Sequence, residues 1–79
     1  MDTRAAHDDL EALFLQHLSL IDRTAAFVAR RRHMRVDRIR DFQSDVRLKI
    51  IEDDYAVLRK FQGRSRISTY LTTVIARFY

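Results

Sequence analysis

The sequence predicts an all-α protein, folded as a compact bundle of three to four helices. Its 79 residues include no proline and a single glycine, Gly63, and 47% are hydrophobic against 33% charged. Apolar residues also recur at three- and four-residue steps, which is the spacing of one helix face. The glycine and proline residues that commonly form the turns between strands are almost absent. One hydrophobic core fits this length, so we expect a flexible N-terminus over residues 1–9 and one domain over residues 10–79.

The first helix is predicted to begin at an N-cap, Asp8 or Asp9, and to extend to about Arg32. Ser19 and Asp22 indicate either a kink or a break within it, and the sequence does not decide between them. The residues that share its core-facing stripe are Leu10, Phe14, His17, Ile21, Ala25 and Val28. Among them, His17 is expected at the margin of the core with one hydrogen bond, rather than in catalysis.

The second helix is predicted from Val36 to about Asp53, and Asp53 with Asp54 caps a short third helix that ends near Lys60. The core stripe of the second helix consists of Val36, Ile39, Gln43, Val46 and Ile50, with Phe42 beside it. The inward residues of the short helix are Tyr55, Leu58 and Phe61. Each stripe follows the helical period, which predicts its burial.

Turn chemistry is confined to residues 62–66, and Ser65 or Ser68 is the predicted cap of the last helix. The buried stripe predicted for that helix consists of Ile67, Tyr70, Leu71, Val74 and Phe78. The outward residues are Ser68, Thr69, Thr72, Thr73, Ala76 and Arg77. Hydroxyl groups and arginine on an otherwise uncharged face suit contacts with bases and phosphates, although a neutral solvated face has the same composition.

Several functions are disfavoured by composition. There is no cysteine, and His7, His17 and His33 are too far apart in the chain for one metal, so we expect neither a disulfide nor a metal site. No cluster of nucleophile, base and electrophile is present, so we expect a protein without enzymatic activity or cofactor. Apolar runs are too short to span a bilayer, which favours a cytoplasmic protein without a membrane partner.

The positive charge indicates a polyanionic partner. The net charge is +4, and thirteen of the fifteen cations are arginine, which binds phosphate through two parallel hydrogen bonds. Residues 30–40 contain six arginines and one acid. This segment is interpreted either as a solvated connection between helices or as a patch that faces phosphates without reading sequence.

An acidic stripe lies on the second helix of this basic protein. Asp41, Asp45, Leu48 and Glu52 fall on one helix face. Asp45 precedes Lys49 by one helical turn, so part of the stripe can be explained as helix-stabilising charge pairing. An exposed leucine flanked by charge instead indicates a surface on which another helix docks, and we favour this interpretation.

Two segments resemble region 2 of extracytoplasmic-function sigma factors. Residues 41–50, DFQSDVRLKI, are similar to the acidic helix of that region, where the usual pattern is D-L-V-Q-E-V-F-L-R-L. Residues 61–71, FQGRSRISTYL, are similar to the pattern F-R-G-x-S-x-(F/L)-x-T-(W/Y)-L, which opens its promoter-melting part. The order and separation of the two segments also agree with the family. The resemblance covers about residues 10–79 and implies a domain that functions in transcription initiation.

The resemblance implies that the acidic helix binds the clamp helices of the RNA polymerase largest subunit. The residues carried over to this contact are Asp41, Ser44, Asp45, Leu48 and Lys49. Ser44 stands where the family usually has glutamine, and Arg47 where it usually has phenylalanine. An anti-sigma factor is a further partner of the kind that the resemblance implies.

The second segment is implied to hold the single-stranded, non-template strand of the promoter −10 element. Extruded bases gain pocket and stacking contacts that offset a few kcal/mol of unstacking. The residues carried over to this contact are Arg59, Lys60, Arg64, Ser65, Arg66, Ser68, Thr69, Tyr70 and Arg77. Phe61 and Tyr70 also fit the core stripe, which we favour for Phe61. After Tyr70 the sequence departs from the family's I-A-R-N continuation.

Two alternatives stay open at the level of sequence. One is a helical interaction module that binds polymerase or an anti-sigma factor without promoter-specific DNA binding, and the other is a nonspecific basic nucleic-acid binder. The sequence ends at Tyr79, within a predicted helix, so we expect a fragment of a longer protein. The family's second domain, a helix-turn-helix called region 4, is not among these 79 residues.

Overall fold

Four helices form the fold in the computed structural model, which describes residues 3–79, with side chains from Asp9 onward. They are α1 (Thr3–Gln16), α2 (Leu18–Arg31), α3 (Val36–Arg59) and α4 (Ile67–Phe78). The described part of the chain is helical apart from short connections, and no strand occurs in it. The predicted all-α bundle is confirmed.

The first predicted helix is divided in two at His17. The His17 backbone has φ −105° and ψ 11°, and its imidazole Nδ1 donates a hydrogen bond to the carbonyl oxygen of Leu13 at 2.9 Å. The predicted place of His17 at the core margin is confirmed, but the break precedes Ser19 and Asp22. The predicted cap is wrong, because α1 begins at Thr3 and both Asp8 and Asp9 lie inside it. Met1 and Asp2 lie outside the described residues, and the predicted flexibility of residues 1–9 stays a prediction.

Helix α2 is the centre of the bundle and packs against both α3 and α4. Ala25, Ala26 and Ala29 are buried on it, at 0%, 6% and 0% exposure. Such small side chains let two neighbouring helices approach one axis closely, whereas larger residues would hold them apart. Helix α1 contacts mainly α3.

The hydrophobic core confirms most of the predicted stripes. Its largest fully buried side chains are Ile21, Val46, Ile50, Leu71 and Ile75. Val36 is the main error, since it is 86% exposed at the first position of α3. Ile75 was not in the predicted stripe, and Ala76, predicted to face outward, is partly buried against the core.

Helix α3 is interrupted where Asp53 and Asp54 were predicted to start a new helix. Asp53, Asp54 and Tyr55 have left-handed backbone angles, with φ of 55°, 56° and 59°. A left-handed conformation is unfavourable by about 1–2 kcal/mol for a residue other than glycine, so contacts with the rest of the protein must hold these three residues in place. The Tyr55 ring is buried with its centroid 5.7 Å from that of Phe14. The Arg59 guanidinium donates to the carbonyl oxygens of Asp53 and Asp54, at 2.7 and 3.0 Å.

Candidate functional site

The acidic stripe forms an exposed face of α3, which we call the acidic face: Asp41, Asp45, Leu48 and Glu52. It lies opposite the buried side chains Phe42, Val46 and Ile50. Leu48 is 66% exposed, although contact between a leucine side chain and water is energetically unfavourable. Ser44 and Lys49 are exposed on its two flanks, so all five residues assigned to polymerase binding are accessible.

Charge pairing within α3 does not account for this face. In the described part of the chain, neither Asp41 nor Asp45 has an ion-pair partner within 4.0 Å. Lys49 instead places its ammonium 5.8 Å from the centroid of the Phe78 ring on α4. The carboxylates are therefore free to meet a basic partner, which agrees with docking better than with helix stabilisation.

Arg47 contacts α2 and takes no part in the acidic face. Its guanidinium donates two hydrogen bonds to the Asp22 carboxylate, Nε to Oδ1 at 2.7 Å and Nη2 to Oδ2 at 2.9 Å. The hydrogen bond and the charge of Asp22 raise the pKa of Arg47 above its ordinary value. One turn earlier, the Gln43 amide donates to the backbone carbonyl of Asp22 at 2.9 Å. Gln43, predicted to lie in the core, thus joins two helices through a hydrogen bond.

This three-residue link was not predicted from the sequence. Gln43 and Arg47 are one turn apart on α3, which indicates a shared flank, but nothing local to Asp22 identifies it as their partner. In the sequence, Arg47 differs from the phenylalanine that is usual at this position of the sigma-factor pattern, and nothing else indicates its role. In the structure, Arg47 joins α3 to α2 through Asp22.

The loop before α4 presents its polar side chains to solvent, and we call residues 62–66 the basic loop. Gly63 has φ +71°, the left-handed conformation that glycine adopts without strain. Arg64, Ser65 and Arg66 are all exposed. The predicted serine cap is wrong: Arg66 occupies the N-cap position of α4 with no side-chain cap bond, and Ser68 lies inside the first turn.

Tyr70 is half-buried and takes part in internal packing. Its hydroxyl donates a hydrogen bond to the backbone carbonyl of Val57 at 2.6 Å, and its ring centroid lies 5.0 Å from that of Phe61. Phe61 is also half-buried, as expected for a core residue. A DNA contact by Tyr70 stays a prediction, and the hydroxyl is already used inside the protein.

Outside the basic loop, the assigned DNA-binding residues lie in three places. Lys60, Tyr70 and Arg77 line a groove of about 400 Å³ between the end of α3 and α4, together with Lys49, Glu52 and Asp53. Ser68 and Thr69 are on the first turn of α4, next to the basic loop. Arg59 is turned back onto the interrupted segment of α3, so its guanidinium is engaged within the protein.

The end of α2, the connection that follows it and the start of α3 present arginines to solvent. We call Arg30, Arg31, Arg32, Arg35, Arg38 and Arg40 the arginine corner, and all six are exposed. The one ion pair among them in the described part of the chain joins Arg35 to Asp37 at 3.4 Å, with both side chains mostly exposed. Arg35 is thus the one arginine of the corner in an ion pair among the described residues, and Arg38 lines a shallow pocket with Asp41 and Asp45.

No group of three or more histidine, aspartate or glutamate side chains in the described residues could hold a metal ion. No helix of that same part is long and apolar enough to cross a bilayer. Comparisons with protein-family models, with curated proteins and with solved structures give no match to this chain.

Proposed function

We propose that this chain is a region 2 domain of an extracytoplasmic-function sigma factor. It binds the clamp helices of the RNA polymerase largest subunit through the acidic face. It holds the non-template strand of the promoter −10 element at the basic loop and the first turn of α4. The chain is not an enzyme in this proposal, and it acts in the cytoplasm at the nucleoid.

One observation carries the proposal. The two segments that resemble the family each present exposed charged side chains on a helical bundle, acidic on α3 and basic in the loop before α4. Among the described residues, neither Asp41 nor Asp45 has an ion-pair partner, and Arg64 and Arg66 are exposed beside a left-handed glycine. A protein that binds both a basic helical partner and a nucleic acid strand needs exposed groups of both signs, because each partner is attracted by the opposite charge.

The polymerase contact is tested by reversing the charge of the acidic face. Asp41→Arg with Asp45→Arg should abolish binding to a purified clamp-helix fragment, because like charges then face each other. Asp9→Arg with Glu11→Arg is the matched control, since it makes the same charge change on the exposed surface of α1. Equal binding by both double variants, with helicity intact by circular dichroism, would refute the polymerase assignment.

The DNA contact is tested with single strands that carry a −10-like sequence or a scrambled one. The unchanged chain should prefer the −10-like strand, and Arg64→Ala with Arg66→Ala should weaken its binding. If affinity ignores sequence and the double variant alters only the salt dependence, the recognition half of the proposal fails.

A second candidate is a helical interaction module that binds polymerase or an anti-sigma factor without reading promoter sequence. Two contacts favour it: the Tyr70 hydroxyl is bonded to Val57, and Arg59 is engaged with the α3 backbone. Both reduce the groups that remain for DNA. This candidate predicts the same clamp-helix result and no preference between the two strands, so the same pair of measurements distinguishes it.

A further inference from the structure

The arginine corner is the densest group of cations in the described chain, and the proposed function does not use it. We propose that this corner binds the phosphate backbone of double-stranded DNA without reading its sequence. This inference does not depend on the sigma-factor proposal, since it concerns other residues and a different form of DNA.

The backbone of the corner is fixed before any ligand binds. Helix α2 ends with the Met34 N–H bonded to the Ala29 carbonyl at 2.9 Å and the His33 N–H bonded to the Arg30 carbonyl at 3.0 Å. His33 has φ 58°, so these bonds and this angle form a Schellman motif with histidine at the left-handed position. Met34 is half-buried against the core and anchors the turn. A fixed turn lowers the entropic cost of binding.

Two of the arginines are held by aromatic rings. The Arg31 guanidinium carbon lies 5.7 Å from the centroid of the Phe27 ring, and that of Arg32 lies 5.1 Å from the centroid of Tyr79. Arginine that packs against an aromatic face still has N–H donors directed away from the ring. These donors are then positioned for the paired hydrogen bonds that phosphate oxygens accept.

Helix stability does not explain the arginines at the start of α3. A helix N-terminus carries partial positive charge, so cations there are destabilising by a few tenths of a kcal/mol. Arg35 is the N-cap residue, without a side-chain cap bond, and Arg38 lies in the first turn. Asp37 is the one acid in that turn. Arg35 and Arg38 therefore lower the stability of α3, which is expected of residues that bind a ligand outside the protein.

The surroundings of the corner favour nucleic acid over a membrane or a protein. Every cation of the corner is arginine. Val36 is highly exposed there, and the two other exposed apolar residues, Phe27 and Tyr79, each have an arginine guanidinium packed on the ring. Binding in a membrane interface requires a continuous apolar face, and protein interfaces have an apolar centre with few charges. A polar, strongly positive surface is instead typical of proteins that bind DNA.

The corner and the basic loop are separate surfaces. Tyr79, which follows α4, packs on Arg32 at the corner, whereas the basic loop precedes the other end of α4. Helix α4 has 12 residues and is therefore about 18 Å long. This separation corresponds to about five base pairs of duplex at 3.4 Å each. Variants can therefore remove either surface and leave the other intact.

The test compares two double variants of equal charge change on a duplex of arbitrary sequence. Fluorescence anisotropy would measure the affinity of the full chain for a duplex of about 20 base pairs, between about 50 and 200 mM salt. Arg38→Gln with Arg40→Gln removes two corner cations, and Arg64→Gln with Arg66→Gln removes two from the basic loop. Each phosphate contact contributes about 0.9 to the slope of log affinity against log salt.

The corner variant should lower the magnitude of that slope by about 1.8, so the affinity of the unchanged chain falls about 12-fold more than that of the variant over this range. The loop variant should change the slope by less than half as much. Equal slopes for the two variants would overturn the proposal, because net charge alone would then explain binding. An unchanged slope in the corner variant, or tighter binding to anionic lipid vesicles than to the duplex, would overturn it as well.

Discussion

The contact between Asp22 and Arg47 should join α2 and α3 with a measurable coupling energy. Charge-assisted hydrogen bonds contribute about 1.5–3 kcal/mol when buried, and exposed ion pairs about 0.2–1 kcal/mol. The two side chains are 27% and 42% exposed, so solvent screens part of the interaction. Two short bonds in a planar, paired geometry compensate part of that loss. We expect a coupling of about 1 kcal/mol.

A double-mutant cycle measures this coupling directly. Asp22→Ala removes the carboxylate, Arg47→Met keeps the aliphatic stem of the arginine, and the double variant completes the cycle. Each stability would come from urea unfolding followed by circular dichroism, where 1 kcal/mol moves the midpoint by about 1 M in a protein of this size. The coupling should decrease between about 0.1 and 1 M salt, because the charges remain partly solvated.

The pair formed by Arg35 and Asp37 is the matched control. Its atoms are 3.4 Å apart, and the side chains are 83% and 66% exposed, so its coupling should be below about 0.3 kcal/mol. A coupling below about 0.3 kcal/mol for Asp22 and Arg47 would show that solvent screening removes the interaction. The same coupling for both pairs would show that burial and paired geometry have no effect.

Four further substitutions test other parts of the fold by urea unfolding, the last of them as a function of pH. Gly63→Ala should lower the free energy of unfolding by about 1 kcal/mol, because φ is +71°; no atom lies within 4 Å of the added Cβ, so a steric clash does not contribute. His33→Gly should raise the free energy of unfolding by about 0.5 kcal/mol, because His33 has φ 58°. A destabilising His33→Gly would contradict this. Tyr70→Phe should cost about 1 kcal/mol by removing the bond to Val57, and no change would show that the bond is unimportant. Burial, and then the charges of Glu11 and Asp54, raise the pKa of Tyr55. The folded state therefore favours the neutral phenol of Tyr55. This contribution to stability is fully present below about pH 10, the pKa of tyrosine in the unfolded chain, and it is lost as the pH rises through the higher pKa of the folded state. Tyr55→Phe should therefore make the protein less sensitive to alkaline pH. Equal alkaline profiles would refute it.

The sequence predicted the helices and the position of the basic loop because both depend on local signals. Helical periodicity identified the buried Phe14, Ile21 and Val46, and the single glycine marked the turn before α4. The exposed acidic face followed from the same periodicity, since its residues lie opposite the core stripe. These features required no knowledge of which helices are neighbours.

The errors arise where local pattern is ambiguous or where the answer depends on distant residues. Helix α4 is apolar on most of its surface, so periodicity could not choose between Val74 and Ile75, and the structure buries Ile75 completely. Val36 fits the stripe of α3 but lies at its first position, where no neighbouring helix covers it. The partner of Arg47 is 25 residues away in the chain, which no local pattern identifies.

The position of Arg47 also explains why a difference from the family pattern at this residue is compatible with the proposed polymerase contact. Arg47 lies on the flank of α3 that faces α2, while Asp41, Asp45 and Leu48 lie on the outer side. An arginine in place of the usual phenylalanine therefore alters how α2 and α3 are joined and leaves the acidic face unchanged. Loss of the Asp22 contact should lower stability, whereas charge reversal at Asp41 and Asp45 should remove clamp-helix binding with little effect on stability. The two effects are separable because the two sets of side chains share a helix but not a surface.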